Sequence, residues 1–103
     1  MNLDRLDVCV IDPRQDERER AEAVAFLAAC GLDYERGLET MVLFRARREI
    51  VACAGLEANI VKCVANQPKL RGEAIGLRLL TEITTIASAQ GHSHLFLYTS
   101  PDN

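Results

Sequence analysis

Residues 64–80, VANQPKLRGEAIGLRLL, decide the fold of this chain. The end of an apolar strand runs into a turn at Pro68, and a loop of the form Arg-Gly-x-Ala-x-Gly then leads into an apolar helix. A helix that begins after such a loop points several unpaired backbone N–H groups at one spot, at the positive end of the helix dipole. Because that arrangement binds phosphate groups, the stretch predicts an anion site at a strand-to-helix junction.

Hydrophobic patterns on both sides of the junction predict strands before it and a helix and a strand after it. Three apolar strands precede it, Glu39–Ala46, Ile50–Leu56 and Ile60–Ala65, and the short polar turns between them imply an antiparallel meander. A helix from Ala74 to Gln90 follows, and then a strand from His94 to Thr99. Since a helix joins the last two strands, we expect them to lie parallel.

A strand and a helix also precede the meander. Leu6–Ile11 is the strand, and the charged run Arg14–Arg20 predicts the solvated first turns of the helix, with acid–base pairs at helical spacing. The helix then carries an apolar stripe and ends at Gly31. The stripe consists of Ala23, Val24, Phe26, Leu27, Ala28 and Cys30. The whole order predicts an α/β (α+β) fold with a mixed five-stranded sheet and two main helices.

Size and composition are those of one ordinary domain, residues 1–103. The chain is 49% hydrophobic and 26% charged, and its net charge of −3 argues against nonspecific binding to nucleic acid. No apolar run approaches the ~18 residues that a membrane span needs. The first twelve residues include Asp4 and Asp7 and lack an apolar core, so we expect no signal peptide and a cytoplasmic location.

Side chains that could carry chemistry are few. The cysteines at positions 9, 30, 53 and 63 lie in apolar stretches without a Cys-x-x-Cys pair, so we expect free thiols that pack as small hydrophobes. His92 and His94 could face one metal ion, but no third ligand is evident, so no metal is predicted. Lys62 interrupts an apolar strand and is expected either to meet a phosphate or carboxylate or to extend along the sheet to water.

The spacing Arg71-x-x-Ala74-x-Gly76, after three antiparallel strands, resembles the pyrophosphate loop of the GNAT acetyltransferase fold. The resemblance implies that the chain binds coenzyme A or acetyl-coenzyme A. The fourth strand of that fold splays from the fifth at a bulge, so the pantetheine arm would lie beside the backbone of Cys63, Val64 and Ala65. The pyrophosphate would contact the N–H groups of Arg71, Gly72, Glu73, Ala74, Ile75 and Gly76. Ala74 stands where glycine is commoner in the family.

Two further blocks make the resemblance more specific. Residues 51–65, VACAGLEANIVKCVA, and residues 93–99, SHLFLYT, resemble the N-terminal GNAT-like domain of the citrate lyase ligase family, as does Leu70-Arg71-Gly72-Glu73. The similarity runs from about Ala23 to Tyr98. In that family a nucleotidyltransferase domain follows, and its His-x-x-His signature is absent from these 103 residues. ATP is therefore expected only in a downstream domain that this chain lacks.

The family resemblance implies a reaction and a partner. ATP would convert acetate into acetyl-adenylate, and the acetyl group would move to a thiol on the acyl-carrier subunit of citrate lyase. That thiol belongs to a prosthetic group derived from coenzyme A. A coenzyme A-type cleft in the N-terminal domain would suit this acceptor.

The GNAT resemblance also implies a C-terminal truncation, because a complete domain adds a helix and further strands. An exposed edge on the fifth strand would invite a second copy of the chain. In the GNAT fold, the catalytic acid is usually a Tyr on the helix after the fifth strand, which this chain is expected to lack. Neither Tyr34 nor Tyr98 lies at that position, so no catalytic residue is assigned. Three functions stay open: the domain of a citrate lyase ligase, a stand-alone GNAT acetyltransferase, and a noncatalytic scaffold with a vestigial cleft.

Overall fold

A computed structural model describes residues 6–67 and 74–97 of the chain. The described elements, in chain order, are β1 (Asp7–Ile11), α1 (Glu17–Ala29), β2 (Thr40–Ala46), β3 (Glu49–Glu57), β4 (Ile60–Asn66), α2 (Ile75–Ala89) and β5 (Phe96–Leu97). The strands form one sheet in the order β1-β2-β3-β4-β5. Neighbours are antiparallel except β4 and β5, which are parallel. The predicted meander and the parallel last pair are confirmed.

Helices cover both faces of the sheet, which is why the central strands are apolar almost throughout. Met41 and Leu43 of β2 pack in the core on the α1 side, whereas Val42 and Phe44 pack in the core on the α2 side. All four side chains are fully buried. Since successive strand residues point to opposite faces, a strand buried on both sides reads as a continuous hydrophobic run.

The two helices follow their predicted patterns to different degrees. In α2, the four residues Ile75, Leu79, Ile83 and Ala87 are buried at spacings of one helical turn. In α1, Val24 of the predicted stripe is exposed. Ala28 of that stripe is exposed as well, and the buried face consists of Ala23 and Leu27, with Phe26 and Cys30 half-buried. A run of alanines does not define one face, so the stripe was predicted too wide.

The start of α1 also differs from the prediction. The helix begins at Glu17, and the preceding residues form a turn in which the Asp12 carboxylate accepts a hydrogen bond from the Arg14 N–H at 2.9 Å. The Asp16 carboxylate in turn accepts the Asp12 N–H at 3.1 Å. Local bonds from Asp side chains to backbone compete with the helix, so the first charged residues stay outside it.

Charged residues of α1 connect the helix to the sheet. Arg18 and Glu22 make the predicted pair within the helix, at 3.8 Å. Glu22 also accepts a hydrogen bond from Arg45 of β2 at 2.9 Å, and Glu19 binds the same guanidinium. Burial lowers the pKa of Arg45, but the two carboxylates outweigh it and raise the pKa. The charged face is therefore partly a tertiary contact, and not only a solvated surface.

Tight turns join the meander strands. Arg47 and Arg48 form the β2–β3 turn with φ values of 53° and 71°, as a two-residue type I′ turn requires, and Glu49 pairs with Ala46. The sequence predicted a turn of three residues between Ala46 and Ile50. Gly31 and Gly91, with φ of 79° and 93°, follow the ends of the helices as predicted.

The last described strand begins two residues later than the sequence indicated. β5 covers Phe96 and Leu97, which pair with Ile60 and Val61. Tyr98 and Thr99 of the predicted strand lie outside the described residues. No helix in the described parts of the chain is long and apolar enough to cross a membrane.

Candidate functional site

β4 contains a β-bulge at the point where the predicted cleft begins. Cys53 of β3 lies opposite Ala65, and Gly55 lies opposite Lys62, so β4 has one residue more than β3 in this interval. Cys63, within the interval, has a left-handed φ of 56°. Bulges add twist to a strand, interrupt regular pairing and are common beside active sites. The bulge therefore sets the direction of the second half of β4.

The pair Ala54-Gly55 near the end of β3 is typical of a bulge or of a close backbone approach, and the structure divides these two features between neighbouring strands. A Cβ added to Gly55 would lie 2.8 Å from both methyl carbons of Leu38, which is the close approach. The extra residue itself is in β4. The family resemblance placed a bulge on this strand, whereas residue propensity did not mark Cys63, because non-glycine residues rarely adopt a left-handed φ.

The bulge changes which side chains share a face of the sheet. Val61 packs in the α2-side core, and Cys63, two residues later, packs against the α1-side core. Regular alternation would have put both on one side. Val64 is left exposed, with 44% of its surface accessible. Val64 therefore occupies an outward-facing position of β4, next to the bulge.

Lys62 forms ion pairs with carboxylates. Its Nζ donates a hydrogen bond to Glu57 Oε1 at 3.0 Å and lies 3.3 Å from Glu35 Oε1. The hydrogen bond to Glu57, followed by the contact with Glu35, raises the pKa of Lys62 although burial opposes it. The structure therefore confirms the expectation that Lys62 meets a carboxylate. Lys62 ties β4 to the end of β3 and to the connector after α1.

The thiols near the bulge are free and stay protonated at neutral pH. Cys53 Sγ donates to the carbonyl of Cys63 at 3.3 Å, and burial raises the pKa of Cys53 to about 12. Burial also raises the pKa of Cys63, whose Sγ lies 3.7 Å from the carbonyl oxygen of Asp33. Reactive cysteines have lowered pKa values in electropositive sites. These two thiols therefore act as packing groups, as the sequence predicted for all four free cysteines.

The start of α2 has no side-chain cap among the described residues. Ala74 is the N-cap residue, and its methyl side chain cannot accept a hydrogen bond from the first-turn N–H groups. Ile75 is fully buried in the α2-side core and anchors the helix. Gly76 is exposed, its φ is not left-handed, and no described atom lies within 4 Å of where its Cβ would be. The described structure thus gives no packing or conformational reason for glycine there.

Gln67, directly after β4, has an unsatisfied side-chain oxygen. Its N–H donates to Val51 O at 2.9 Å, and its Nε2 donates to Ile50 O at 3.5 Å. Its Oε1 is buried without a hydrogen-bond partner among the described residues. Leaving such an acceptor unpaired costs about 1–3 kcal/mol, and a ligand N–H would satisfy it. Sequence reasoning missed this residue, because an unpaired atom is visible only in three dimensions.

The predicted site residues divide into three groups. Cys63–Ala65 form the bulged part of β4, and Ala74–Gly76 form the beginning of α2. Arg71, Gly72 and Glu73 lie outside the described residues. Within residues 6–67 and 74–97, no group of three or more His, Cys, Asp or Glu side chains is arranged to hold a metal ion.

Sequence comparison finds relatives of one kind. The chain is 38% identical over 88 residues to the citrate lyase ligase of Klebsiella pneumoniae, an alignment that covers 84% of this chain and 26% of the relative. The chain spans about a quarter of the length of the curated relatives it matches. No protein-family model matches the chain.

Structure comparison finds acetyltransferase folds. Escherichia coli ElaA superposes with a TM-score of 0.77 at 14% identity, covering 94% of this chain and 80% of ElaA. N-acetylglutamate synthase from Neisseria gonorrhoeae, solved with coenzyme A and N-acetylglutamate, gives a TM-score of 0.62 at 22% identity, covering 92% of this chain and 26% of that protein. These likenesses confirm the GNAT fold. In sequence and in fold, the chain therefore matches the N-terminal, GNAT-like domain of citrate lyase ligase.

Proposed function

We propose that the cleft at the β4 bulge binds coenzyme A, acetyl-coenzyme A or a prosthetic group derived from coenzyme A. The backbone of Cys63–Ala65 would hold the pantetheine arm. The N–H groups of Ala74–Gly76, together with those of Arg71, Gly72 and Glu73, would hold the pyrophosphate, and the Arg71 guanidinium would add a charged hydrogen bond. The proposal rests on the acetyltransferase-like fold and on one local observation, the open Gly76 at the start of α2.

Gly76 is the main local evidence, because nothing in the described fold requires glycine at this position. Glycine inside a helix is less stable than alanine by about 0.5–1 kcal/mol. At Gly76 neither a left-handed φ nor a close neighbour accounts for that loss. A phosphate group approaching the first-turn N–H groups would account for it, since a side chain there would obstruct the approach.

The unpaired oxygen of Gln67 is consistent with the same ligand. Pantetheine contains two amide N–H groups, and either could donate a hydrogen bond to this acceptor once the buried side chain turns towards the cleft. Gln67 lies at the end of β4, between the two parts of the proposed cleft along the chain. The described residues of the proposed cleft therefore support this placement of the ligand.

In a complete ligase, this domain would present the acceptor thiol to the chemistry. ATP and acetate would form acetyl-adenylate and pyrophosphate in a separate nucleotidyltransferase domain. The thiol of the acyl-carrier prosthetic group would then take the acetyl group and release AMP. We propose the acyl-carrier subunit of citrate lyase as the partner, because its thiol sits on an arm chemically similar to coenzyme A.

Calorimetric titration of the chain with coenzyme A and with acetyl-coenzyme A tests the proposal. We expect micromolar affinity, and we expect Arg71→Ala to weaken it about tenfold, as the loss of a charged hydrogen bond should. Arg47→Ala, in the β2–β3 turn, is the matched control and should bind like the parent. Absence of binding to a chain that circular dichroism shows to be folded would contradict the proposal. Turnover of acetyl-coenzyme A with a free amine would instead favour a stand-alone acetyltransferase.

A further inference from the structure

A groove lined mainly by arginines lies beside the beginning of α1. Its volume is about 400 Å³, within the usual range of roughly 300–1,000 Å³ for small-molecule sites. The lining residues are Arg14, Arg20, Val24, Tyr34 and Arg36. None of them belongs to the proposed coenzyme A cleft. Three guanidinium groups around one groove are unexpected on a chain whose net charge is −3.

The arginines have donors left after their contacts within the protein. Arg14 uses Nε and Nη2 to bind Asp12, at 3.0 and 2.9 Å, and Arg20 donates from Nη1 to the Pro13 carbonyl at 3.0 Å. Arg36 is exposed and makes no hydrogen bond or ion pair within residues 6–67 and 74–97. A guanidinium has five N–H donors, so most of those on Arg20 and Arg36 remain for a ligand.

Arg14 is the lining cation whose charge a neighbouring carboxylate offsets. Asp12 neutralises Arg14 by direct contact, and Glu39 also acts on Arg14 at longer range. Arg20 and Arg36 remain as cations without a paired carboxylate among the described residues. Because both line the same groove, one anion bound there could pair with both guanidinium groups.

Tyr34 completes the groove with a neutral polar group. Its ring packs against the α1-side core, in the same cluster as Cys63 at the bulge. Burial raises the pKa of Tyr34, an effect that nearby Arg20 opposes, so its hydroxyl stays protonated at neutral pH. A protonated hydroxyl can donate a hydrogen bond to an anion.

We propose that this groove binds the anionic group of a small ligand, a carboxylate or a phosphate, through Arg20, Arg36 and Tyr34. A guanidinium matches both anions because its parallel N–H groups pair with two oxygens at once. The inference does not depend on coenzyme A binding, since the two sites share no residue.

The test is an NMR titration of the isotope-labelled chain with inorganic phosphate and, separately, with malonate, at constant ionic strength set by sodium chloride. We expect saturable shifts of the Arg36 and Tyr34 signals, with the tighter of the two anions identifying the ligand class. Arg20→Gln and Arg36→Gln should each weaken binding about tenfold. Arg47→Gln replaces an exposed arginine outside the groove and should leave the affinity for the anion unchanged.

Two results would overturn the proposal. One is a linear response without saturation, equal to that of added chloride. The other is an Arg36→Gln chain that binds either anion like the parent; this variant removes no described contact, so it should fold even if Arg20→Gln does not. Coenzyme A affinity of Arg36→Gln should match that of the parent, so failure of the groove and failure of the cleft can be told apart.

Discussion

Gly76 is the residue at which we expect stability and the proposed ligand binding to make opposite demands. We expect Gly76→Ala to raise the free energy of unfolding by about 0.5–1 kcal/mol, because alanine favours the helix and the added Cβ meets no described atom. The same methyl group should weaken coenzyme A binding, since it occupies the approach to the first-turn N–H groups. Urea unfolding and calorimetry on one preparation measure both effects.

Gly91→Ala is the matched control for that substitution. Gly91 follows the other end of α2 with a left-handed φ of 93°, so alanine there should destabilise the fold by about 1 kcal/mol and leave coenzyme A affinity unchanged. If Gly76→Ala bound coenzyme A as tightly as the parent, the glycine would have no role in ligand binding.

Cys53 should make the stability of the fold depend on alkaline pH. Burial raises its pKa from 9.0 to about 12, so the folded state keeps a proton that the unfolded chain loses above about pH 9. This contribution to stability is complete below pH 9 and is lost as the pH rises towards 12, by at most about 1.4 kcal/mol per pH unit. We expect Cys53→Ala, which lacks the group, to lose stability less steeply than the parent.

Urea unfolding at neutral pH and at about pH 10 measures the difference between the two slopes. Cys53→Ala should also be less stable at neutral pH by about 1–2 kcal/mol, because it leaves a small cavity in the core. Equal slopes for the two proteins would show that Cys53 does not titrate with unfolding.

At the level of elements, the bulge in β4 is the feature on which the cleft depends. Deletion of Val64 would leave equal numbers of residues in β3 and β4 between the flanking pairs and so restore a regular register. We expect the shortened chain to fold with reduced stability and to lose coenzyme A binding. Val64→Ala is the matched control: the side chain is exposed, so the bulge and the affinity should survive. Binding by the deletion variant would mean that the bulge is dispensable.

How far the sequence predicts these elements depends on whether the cause is local. The buried face of α2 follows from the periodicity of its apolar residues, and the ends of both helices follow from the glycines that stop them. Both signals act within one or two helical turns. The β4 bulge does not follow from such local signals, because it arises where β4 meets β3; only the family resemblance placed a bulge on the fourth strand. The arginine groove was missed for the same reason, since Arg20 and Arg36 approach each other only through the tertiary fold.

At the scale of the whole molecule, four of the seven large hydrophobic side chains that are exposed among the described residues lie on β5 and α2. Phe96 and Leu97 are 61% and 60% exposed, and Leu77 and Leu80 of α2 are 70% and 49% exposed. Exposed patches of this kind mark interaction surfaces, and an apolar edge strand is a template for pairing with another chain. We propose a second copy of the chain as the partner at this edge.

We expect the chain to sediment as a dimer at micromolar concentration and Phe96→Lys to sediment as a monomer, because a charge at the edge opposes strand pairing. Val10→Lys is the matched control on β1, the other edge of the sheet, where the side chain is 53% exposed, and it should leave the dimer intact. A parent chain that is monomeric over the accessible concentration range would contradict this proposal. Sedimentation velocity distinguishes these outcomes directly.

We propose that coenzyme A lies between the β4 bulge and the start of α2, and amide chemical-shift mapping tests this placement most directly. Titration of the labelled chain with coenzyme A should give saturable shifts that are largest at Val64, Ala65, Ile75 and Gly76. The amides of Arg47 and Arg48 in the β2–β3 turn should not move. Saturable shifts confined to other parts of the chain, or no saturable shift at all, would contradict the account.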